Sequence, residues 1–495
     1  MPTGSSIRFI LDGAVRTLEG VDPTLTVLRW LREVERRTGT KEGCAEGDCG
    51  ACTVVLVELR GGALAYRAVD ACLLFLPALD GKALLTVESL CEPGRQAPRH
   101  PVQDALVACH ASQCGFCTPG FVMSLVALHE SEPAPSRDRL DEVLAGNLCR
   151  CTGYRPIVEA ARQARQATAP SRLAAQQAAL RSQLEAIARP AGESLALEHA
   201  GRRFLAPRSL EEAARLVQQH PGATLVAGAT DVGLWVTKQR RTLEAIISLA
   251  AVPELATVAV TATHVEVGAA ATYTDALGAL EAEHADLGAL LRRIGSQQIR
   301  NVGTLGGNLA NGSPIGDTAP ALLALDATVV LRAGQATREL TLDRFFTGYR
   351  TTALRPGELL ERIRIPRRRT GQQFRAYKIA KRLDQDISTV CGAFALELEH
   401  GLARRVRVAF GGMAATPVRV PACEAALEGQ PWTRATVERG MAALDGALAP
   451  LSDFRGSAAY RRLVARNLLL KFQLETGGPA AATRLGAGLA GREAR

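Results

Sequence analysis

Eight of the twelve cysteines fall into two blocks whose spacings suit iron–sulfur clusters, and a chain folded around such clusters is tightly constrained. The first is Cys44, Cys49, Cys52 and, after a gap, Cys72, which reads C-x4-C-x2-C…C, the plant-type [2Fe–2S] ligand pattern. Three cysteines this close must converge on one small inorganic core, so the backbone of Lys41–Thr53 has to wrap tightly. Gly43, Gly47 and Gly50 are expected to supply the positive φ angles for that wrapping, and their amides can point at sulfur and tune the potential. Zinc favours repeating C-x2-4-C pairs and fits this block poorly. The second block is Cys114 and Cys117 (C-x2-C), then Cys149 and Cys151 (C-x-C). Spacing alone leaves it open between a second cluster, a zinc site, and a redox thiol pair followed by chance cysteines.

The remaining cysteines, Cys91, Cys109, Cys391 and Cys423, belong to neither block and read as buried structural thiols. The start of the chain has no basic segment followed by a long apolar stretch, and no run of about eighteen apolar residues occurs. The expectation is a cytoplasmic protein without a membrane span, in a compartment where thiolate–metal ligation is commoner than disulfides. A net charge of +9 raises nucleic acid as a partner. Scattered arginines and only 4% aromatic residues argue against it. Two clusters and a dinucleotide pyrophosphate, each about −2, would bring the loaded protein to about +3.

At 495 residues the chain should form roughly three or four domains. Residues 7–18 read as a hairpin about Asp12-Gly13, followed by a helix over 26–36 and a strand over 53–59. Further strands are expected near Cys72 and over 84–90, giving a small mixed sheet with a cluster loop at its edge. From about residue 100 the pattern turns helical, with helices over 102–110, 119–130, 138–146 and 155–165. Pro119 and Pro156 suit first-turn positions, and the paired cysteines just before those helices gain from the positive N-terminal ends. His100 and His110 flank the first of these helices and are placed at its surface. Residues 162–194, rich in Ala, Gln and Arg, read as either a charged connecting helix or, in preference, a linker with some helix. Ser209 and Glu212 form a capping box for a helix ending at Gln219.

Two further motifs are individually weak. Leu225-Val-Ala-Gly-Ala-Thr-Asp-Val232 joins a strand to a small-residue turn where Gly228 and Ala229 let amides approach a pyrophosphate. Asn301-Val-Gly-Thr-Leu-Gly-Gly-Asn308 continues to Asp317. Neither is a G-x-G-x-x-G fingerprint, and each could be a tight structural turn.

Cys-Gly-Phe-Cys-Thr-Pro-Gly at 114–120 with Cys-Arg-Cys-Thr-Gly-Tyr at 149–154 resembles the second iron–sulfur motif of the molybdenum hydroxylases, the xanthine dehydrogenase and aldehyde oxidase family. The first loop and the two glycine motifs, in this order, are similar to the same family over roughly residues 5–475. The resemblance implies a multidomain α+β protein: a β-grasp ferredoxin-like domain (5–91), a helical [2Fe-2S] domain (92–165), a linker (166–194), an α+β FAD-binding domain (195–370), a C-terminal α/β flavoprotein-like domain (374–475) and a disordered tail (476–495). It implies [2Fe-2S] at both sites, with Cys114, Cys117, Cys149 and Cys151 nearer a molybdenum centre and Cys44, Cys49, Cys52 and Cys72 nearer FAD.

FAD contacts carried over are Leu225, Val226, Ala227, Gly228, Ala229, Thr230, Asp231, Val232, Thr304, Leu305, Gly306, Gly307, Asn308 and Asp317, with Leu360 and Lys378. Ile294 departs from the pattern, because animal members have an aromatic residue there against the flavin ring. Arg382–Ser388 resembles the loop governing access of nicotinamide nucleotide, though a solvated charged turn also fits. No stretch matches the molybdopterin-binding domains, and no Ser/His/Asp set is evident, so no catalytic residue for substrate oxidation is assigned to this chain. The implied role is an electron-transferring small subunit, in a heterotetramer of two small and two large molybdopterin-binding subunits. The partner's molybdenum cofactor would hydroxylate xanthine or hypoxanthine, with electrons passing through both clusters to FAD and NAD+. Alternatives are the equivalent subunit for an aldehyde, an N-heterocycle or carbon monoxide, and, in a different class, a zinc-binding scaffold without redox function.

Overall fold

A computed structural model describes residues 3–90, 99–166, 171–190, 192–478 and 483. Cys91 and nearly all of the tail expected over 476–495 lie outside the described residues. The N-terminal sheet has five strands in the order Ala14–Glu19, Ser6–Leu11, Ala83–Leu85, Thr53–Arg60, Ala63–Asp70. Its central run Thr53-Val-Val-Leu-Val is apolar at successive positions because both faces are buried. Val55 and Val57 pack with the helical domain, whereas Val54 and Leu56 pack with Leu195, Phe204 and Val226 of the next domain. The ferredoxin-like sheet is therefore sandwiched. The helix expected over 26–36 is shorter and irregular: an α turn at Val27–Arg29 passes into a π turn at Trp30–Val34. The strand expected near Cys72 is Ala63–Asp70, ending two residues before it, whereas the strand expected over 84–90 stops at Leu85 and Val87–Leu90 is a 3₁₀ turn.

The helical domain comprises Pro101–Ala108, Thr118–Ser131, Arg137–Leu144 and Arg155–Ala164, with Pro119 and Pro156 in first turns as anticipated. The segment read as a linker contains a 16-residue helix, Arg172–Ile187, whose Leu173, Leu184 and Ile187 join the same core as Phe121 and Val126. Its Ala/Gln-rich composition concealed that apolar spacing.

His100 overturns its placement at the surface. It is buried (3% exposed) and caps the first helix, its Nδ1 accepting from the Val102 N–H at 3.2 Å. A ring nitrogen thus replaces the usual Ser, Thr, Asp or Asn oxygen. With Nδ1 accepting, Nε2 carries the proton and donates to Glu130 Oε1 at 3.1 Å. His110 is exposed as expected. Burial pushes the Glu130 carboxyl up, but hydrogen bonds from His100, His129 and Ser171 overcome this and hold it at about 2, below the ordinary 4.5. A depressed carboxyl stabilises the fold above its unfolded pKa and loses that contribution as pH falls through the folded value. The expected contribution is about 3 kcal/mol above pH 4.5, lost between about pH 4.5 and 2. Urea midpoints of the native protein and Glu130→Gln should accordingly differ at pH 6 and converge toward pH 2–3. A gap that stays constant with pH would refute the assignment.

The third domain has two sheets. In the first, Thr3–Gly4, Ser194–His199, Arg202–Ala206, Ala245–Ser248 and Thr224–Val226 follow in that order, with the last three mutually parallel. The second is antiparallel: Val258–Val260, His264–Gly268, Leu359–Pro366, Thr328–Ala333, Ala336–Thr341. Ser209 caps Leu210–Gln219 by accepting from the Glu212 N–H at 3.2 Å. The Glu212 carboxylate turns instead to Ser194 and the Arg208 N–H, so only half of the expected capping box forms. A C-terminal antiparallel sheet, Gln372–Ile379, Val390–Glu399, Leu402–Gly411 and Val418–Arg419, carries three helices ending at Thr476.

Candidate functional site: two thiol quartets beside a glycine-rich cleft

The first cysteine loop wraps around Cys44. Its Sγ accepts from the backbone N–H groups of Glu46, Asp48 and Cys49, each at 3.4 Å. The Cys49 thiol and these amides outweigh burial and draw the Cys44 thiol down to about 5. Positive φ angles occur at Ala45, Gly47 and Gly50. Gly43 is not among them, contrary to expectation. It matters for space instead, since a Cβ there would lie 2.7 Å from Cys49 Sγ. Cys52 and Cys72 are buried (2% and 1% exposed), and proximity to Cys72 together with burial pushes the Cys52 thiol well up.

In the second block, Cys117 is the cap residue of Thr118–Ser131. Cys149 Sγ lies 3.1 Å from Thr152 Oγ1 and accepts from the Thr152 N–H. The Cys149 N–H donates to the Tyr154 hydroxyl at 2.9 Å. Tyr154 adopts a left-handed φ of 69° that turns the chain into Arg155–Ala164. Cys149 is buried, Cys117 is half-buried, and Cys114 and Cys151 are exposed.

Thiol pairing discriminates between metals. One tetrahedral zinc with bonds near 2.3 Å would gather four sulfurs at mutual distances of about 3.8 Å. Here the thiols interact in pairs: Cys44 with Cys49, Cys52 with Cys72, Cys114 with Cys151, Cys117 with Cys149. Among the described residues, the one trio of ligand atoms mutually within 4.8 Å is His100, His129 and Glu130, already satisfied by their own hydrogen bonds. Two thiols per metal, twice per block, is the donor set of a two-iron core and fits zinc poorly. Of the other cysteines, Cys391 and Cys423 are buried as expected, but Cys109 is not: it is half-buried at the end of its helix, where its thiol donates to Gln163 Oε1 at 2.9 Å.

The blocks meet directly, the Leu148 N–H donating to the Cys49 carbonyl at 2.9 Å. Beyond the buried Cys72, a Cβ on Gly233 would lie 3.1 Å from the Leu73 carbonyl, so the first block abuts the glycine-rich turn. That turn leaves the carboxyl end of the parallel strand Thr224–Val226, the position where open α/β sheets bind ligands. Ala229 adopts φ 59°. Gly228 packs against the second motif so closely that a Cβ would fall 1.8 Å from the Val302 carbonyl oxygen. Thr304 caps Leu305–Ala310 by accepting from the Gly307 N–H at 3.0 Å, and Gly306 has no room for a Cβ against Ala269.

Val226–Ala229, Val302 and Thr304 line a common cavity of about 420 Å³, within the size range of cofactor sites. Asp231 lies just beyond that lining; its Oδ2 is buried without a partner, and burial raises its carboxyl. The residues therefore fit a dinucleotide. Leu225 pairs with Ile247 and Val232 opens Val232–Thr237, so both serve the scaffold as well. Asn308 Oδ1 accepts from the Thr318 hydroxyl.

Asp317 and Lys378 come together away from that lined cavity, as a buried ion pair at 2.7 Å. Ser388 Oγ donates to Asp317 Oδ1 and the Lys378 ammonium to the Arg293 carbonyl. Leu360 is a buried core residue of the second sheet, and Ile294 packs at the margin of the same core. The loop Arg382–Ser388 is exposed over Arg382–Asp384 and at Ile387, while Ser388 is buried, and the loop is tied down. Arg293 donates to the Leu383 carbonyl, and Gln385 Nε2 donates to the carbonyls of Asp48 and Ala145 at 3.0 and 2.9 Å.

Sequence reasoning missed the buried polar junction of Thr53, Ser124, Asn147 and Gln298, in which Gln298 Nε2 lies 3.1–3.2 Å from the other three. Four scattered polar residues of three domains carry no local pattern. It also missed the two salt bridges from Arg60 and Arg67 to Asp275 that clamp the first domain to the third.

Comparison with known proteins agrees with this geometry. Residues 9–75 match the 2Fe-2S iron-sulfur cluster binding domain and 86–162 the [2Fe-2S] binding domain. Residues 198–368 match the FAD binding domain in molybdopterin dehydrogenase, and 375–476 the CO dehydrogenase flavoprotein C-terminal domain. The chain belongs to the molybdenum hydroxylase family and carries its iron–sulfur and flavin modules. It is similar to xanthine dehydrogenase of Emericella nidulans (33% identical, covering 94% of this chain and 38% of that protein). It is likewise similar to aldehyde oxidase 2 of Cavia porcellus (32%, covering 96% and 40%). A solved carbon monoxide dehydrogenase chain from Hydrogenophaga pseudoflava superposes with TM-score 0.52 at 28% identity, covering 54% of this chain and 94% of that one. The chain thus spans about two fifths of the length of the curated relatives it matches. No helix among the described residues is long and apolar enough to cross a membrane.

Proposed function

We propose that this chain is the electron-transfer subunit of a xanthine dehydrogenase, working in the cytoplasm with a large molybdopterin-binding subunit, as two copies of each. The observation that carries the reading is a gradient of exposure. Cys114 and Cys151 stand at the surface, Cys52 and Cys72 are buried, and the buried pair abuts the glycine-rich turn. A donor docked outside therefore meets the second thiol quartet first, and the flavin motifs last. When bound, the two clusters pass single electrons and FAD converts them to the two-electron currency of NAD+.

The chain's own part is positional. Cys44, Cys49, Cys52 and Cys72 hold one cluster, and Cys114, Cys117, Cys149 and Cys151 the other. Amides of 46, 48 and 49 oppose charge on Cys44, while Leu225–Val232 and Thr304–Asn308 bring backbone to the pyrophosphate. Asp317, Leu360 and Lys378 would take the remaining FAD contacts, and Arg382–Ser388 would flank nicotinamide. The similarity to aldehyde oxidase and carbon monoxide dehydrogenase keeps a second reading, the same subunit serving another substrate.

Analysis of the purified protein should give iron and acid-labile sulfide in equal amounts, about four each, with about one FAD per chain. A colourless protein containing zinc would sink the reading. With its native partner co-purified, xanthine should drive NAD+ reduction; a complex active only with aldehydes or carbon monoxide would select the second reading.

A further inference from the structure

We propose that Gln298 is a positioning residue for electron transfer between the two clusters, an amide supplied by the flavin domain that fixes the separation of the two cysteine loops. The inference rests on the two-cluster reading above. Gln298 sits on the short helix Gln297–Arg300 and is completely buried (0% exposed). Its Nε2 reaches Thr53 Oγ1 and Ser124 Oγ at 3.2 Å and Asn147 Oδ1 at 3.1 Å. Every partner is tied to a cysteine segment. Thr53 follows Cys52, Asn147 precedes Cys149 by two residues, and Ser124 lies on the helix that Cys117 caps. Asn147 Nδ2 crosses to the Gly50 carbonyl at 3.0 Å, next to Cys49.

The orientation of the amide is fixed. The Thr53 hydroxyl already donates to the Gly50 carbonyl at 2.7 Å, and the Ser124 hydroxyl to Asn147 Oδ1 at 2.7 Å. A reversed amide would set its oxygen against Asn147 Oδ1 and find no donor. Gln298 Oε1 consequently has no partner, and it lies where a Cβ of Gly146 would come within 2.0 Å. A buried unpaired carbonyl is unfavourable, so the arrangement is not one that maximises stability. What it provides is a single geometry, with both cysteine loops bound to one amide. Three glycines permit the approach: a Cβ on Gly50 would meet the Gly146 carbonyl, and one on Gly120 the Gly50 carbonyl, each at 2.2 Å. The segment after Gln298 continues to Val302, whose carbonyl lies against Gly228. One short stretch therefore sets the spacing of the two loops and touches the flavin turn.

The test is Gln298→Leu in the full chain with its native partner, which keeps volume and removes the donor. Iron, sulfide and flavin contents should match the native protein. Paramagnetic resonance of the fully reduced protein should show altered dipolar splitting between the cluster signals. Electron arrival at the flavin after rapid mixing with substrate should slow about twofold, because transfer falls off exponentially with separation and the loops shift by a fraction of an ångström. Unchanged splitting and rate at full cofactor content would overturn the proposal, as would loss of one cluster, which would make Gln298 a purely structural residue. If Gln298→Leu does not fold, Ser124→Ala decides: it removes one partner and should shift the splitting in the same direction by less, whereas native splitting overturns the proposal. A native protein lacking two cluster signals would instead defeat the two-cluster reading.

Discussion

Replacing Cys149 by serine should abolish the substrate-driven NAD+ reduction proposed above, lowering it by more than about a hundredfold, while NADH-to-dye turnover at the flavin should survive. Cys149 is the buried member of its quartet, paired with Cys117 and held by the Thr152 N–H and hydroxyl. Serine keeps the size but offers a hard, protonated oxygen in place of a thiolate, a poor terminal ligand for iron. The Leu148 N–H to Cys49 carbonyl bond and the Asn147 junction use other atoms, so the first quartet and the flavin turn keep their frame. The checks are the paramagnetic signals, one lost and one kept, alongside both activities. If dye reduction by NADH vanished while FAD stayed bound, the direction assigned to electron flow would be wrong.

Gly228→Val is expected to empty the flavin site, with FAD content below about a tenth of native and iron content unchanged. At the sequence level the glycine is needed for close approach of a pyrophosphate. The structure adds a stronger reason. A Cβ would sit 1.8 Å from the Val302 carbonyl oxygen, 2.4 Å from its carbon and 2.9 Å from the Gly303 nitrogen. All three are backbone atoms, so no side-chain rotation relieves the clash and the two motifs must part. Overpacking of this kind costs about 1–3 kcal/mol, enough to displace a loop without unfolding a domain. Absorbance near the flavin band relative to iron reads the outcome directly. Flavin at the native ratio would refute the site.

Legibility in the sequence tracked how local the constraint was. The Asp12-Gly13 hairpin and the helices opened by Pro119 and Pro156 each rest on residues close together in the chain, and each appears where expected. Gly43 was assigned the wrong virtue: loop chemistry suggested a positive φ, whereas the need is room for Cys49 Sγ. His100 was misplaced because a histidine rarely caps a helix, and its partner Glu130 is thirty residues away. Some helix was expected between 162 and 194, but the docking of Arg172–Ile187 on the core was obscured by composition, since only three of its residues are buried. The junction around Gln298 could not be read at all, because its members come from three domains and meet only after folding.

The two-residue strand Thr3–Gly4 pairs in parallel with Ser194 and Leu195, at the edge of the third domain's sheet. On the ribosome its partner does not exist until some 190 residues later, about 10–40 s at ordinary elongation rates. Through that interval the sheet face bearing Ile7, Phe9 and Leu11 lacks the cover that Leu195, Phe204 and Ile246 later provide. The deep thiols Cys52 and Cys72 are also easier to reach then than in the finished protein. The order of synthesis therefore leaves the two deepest thiols of the first block to be covered last, when the third domain folds over them.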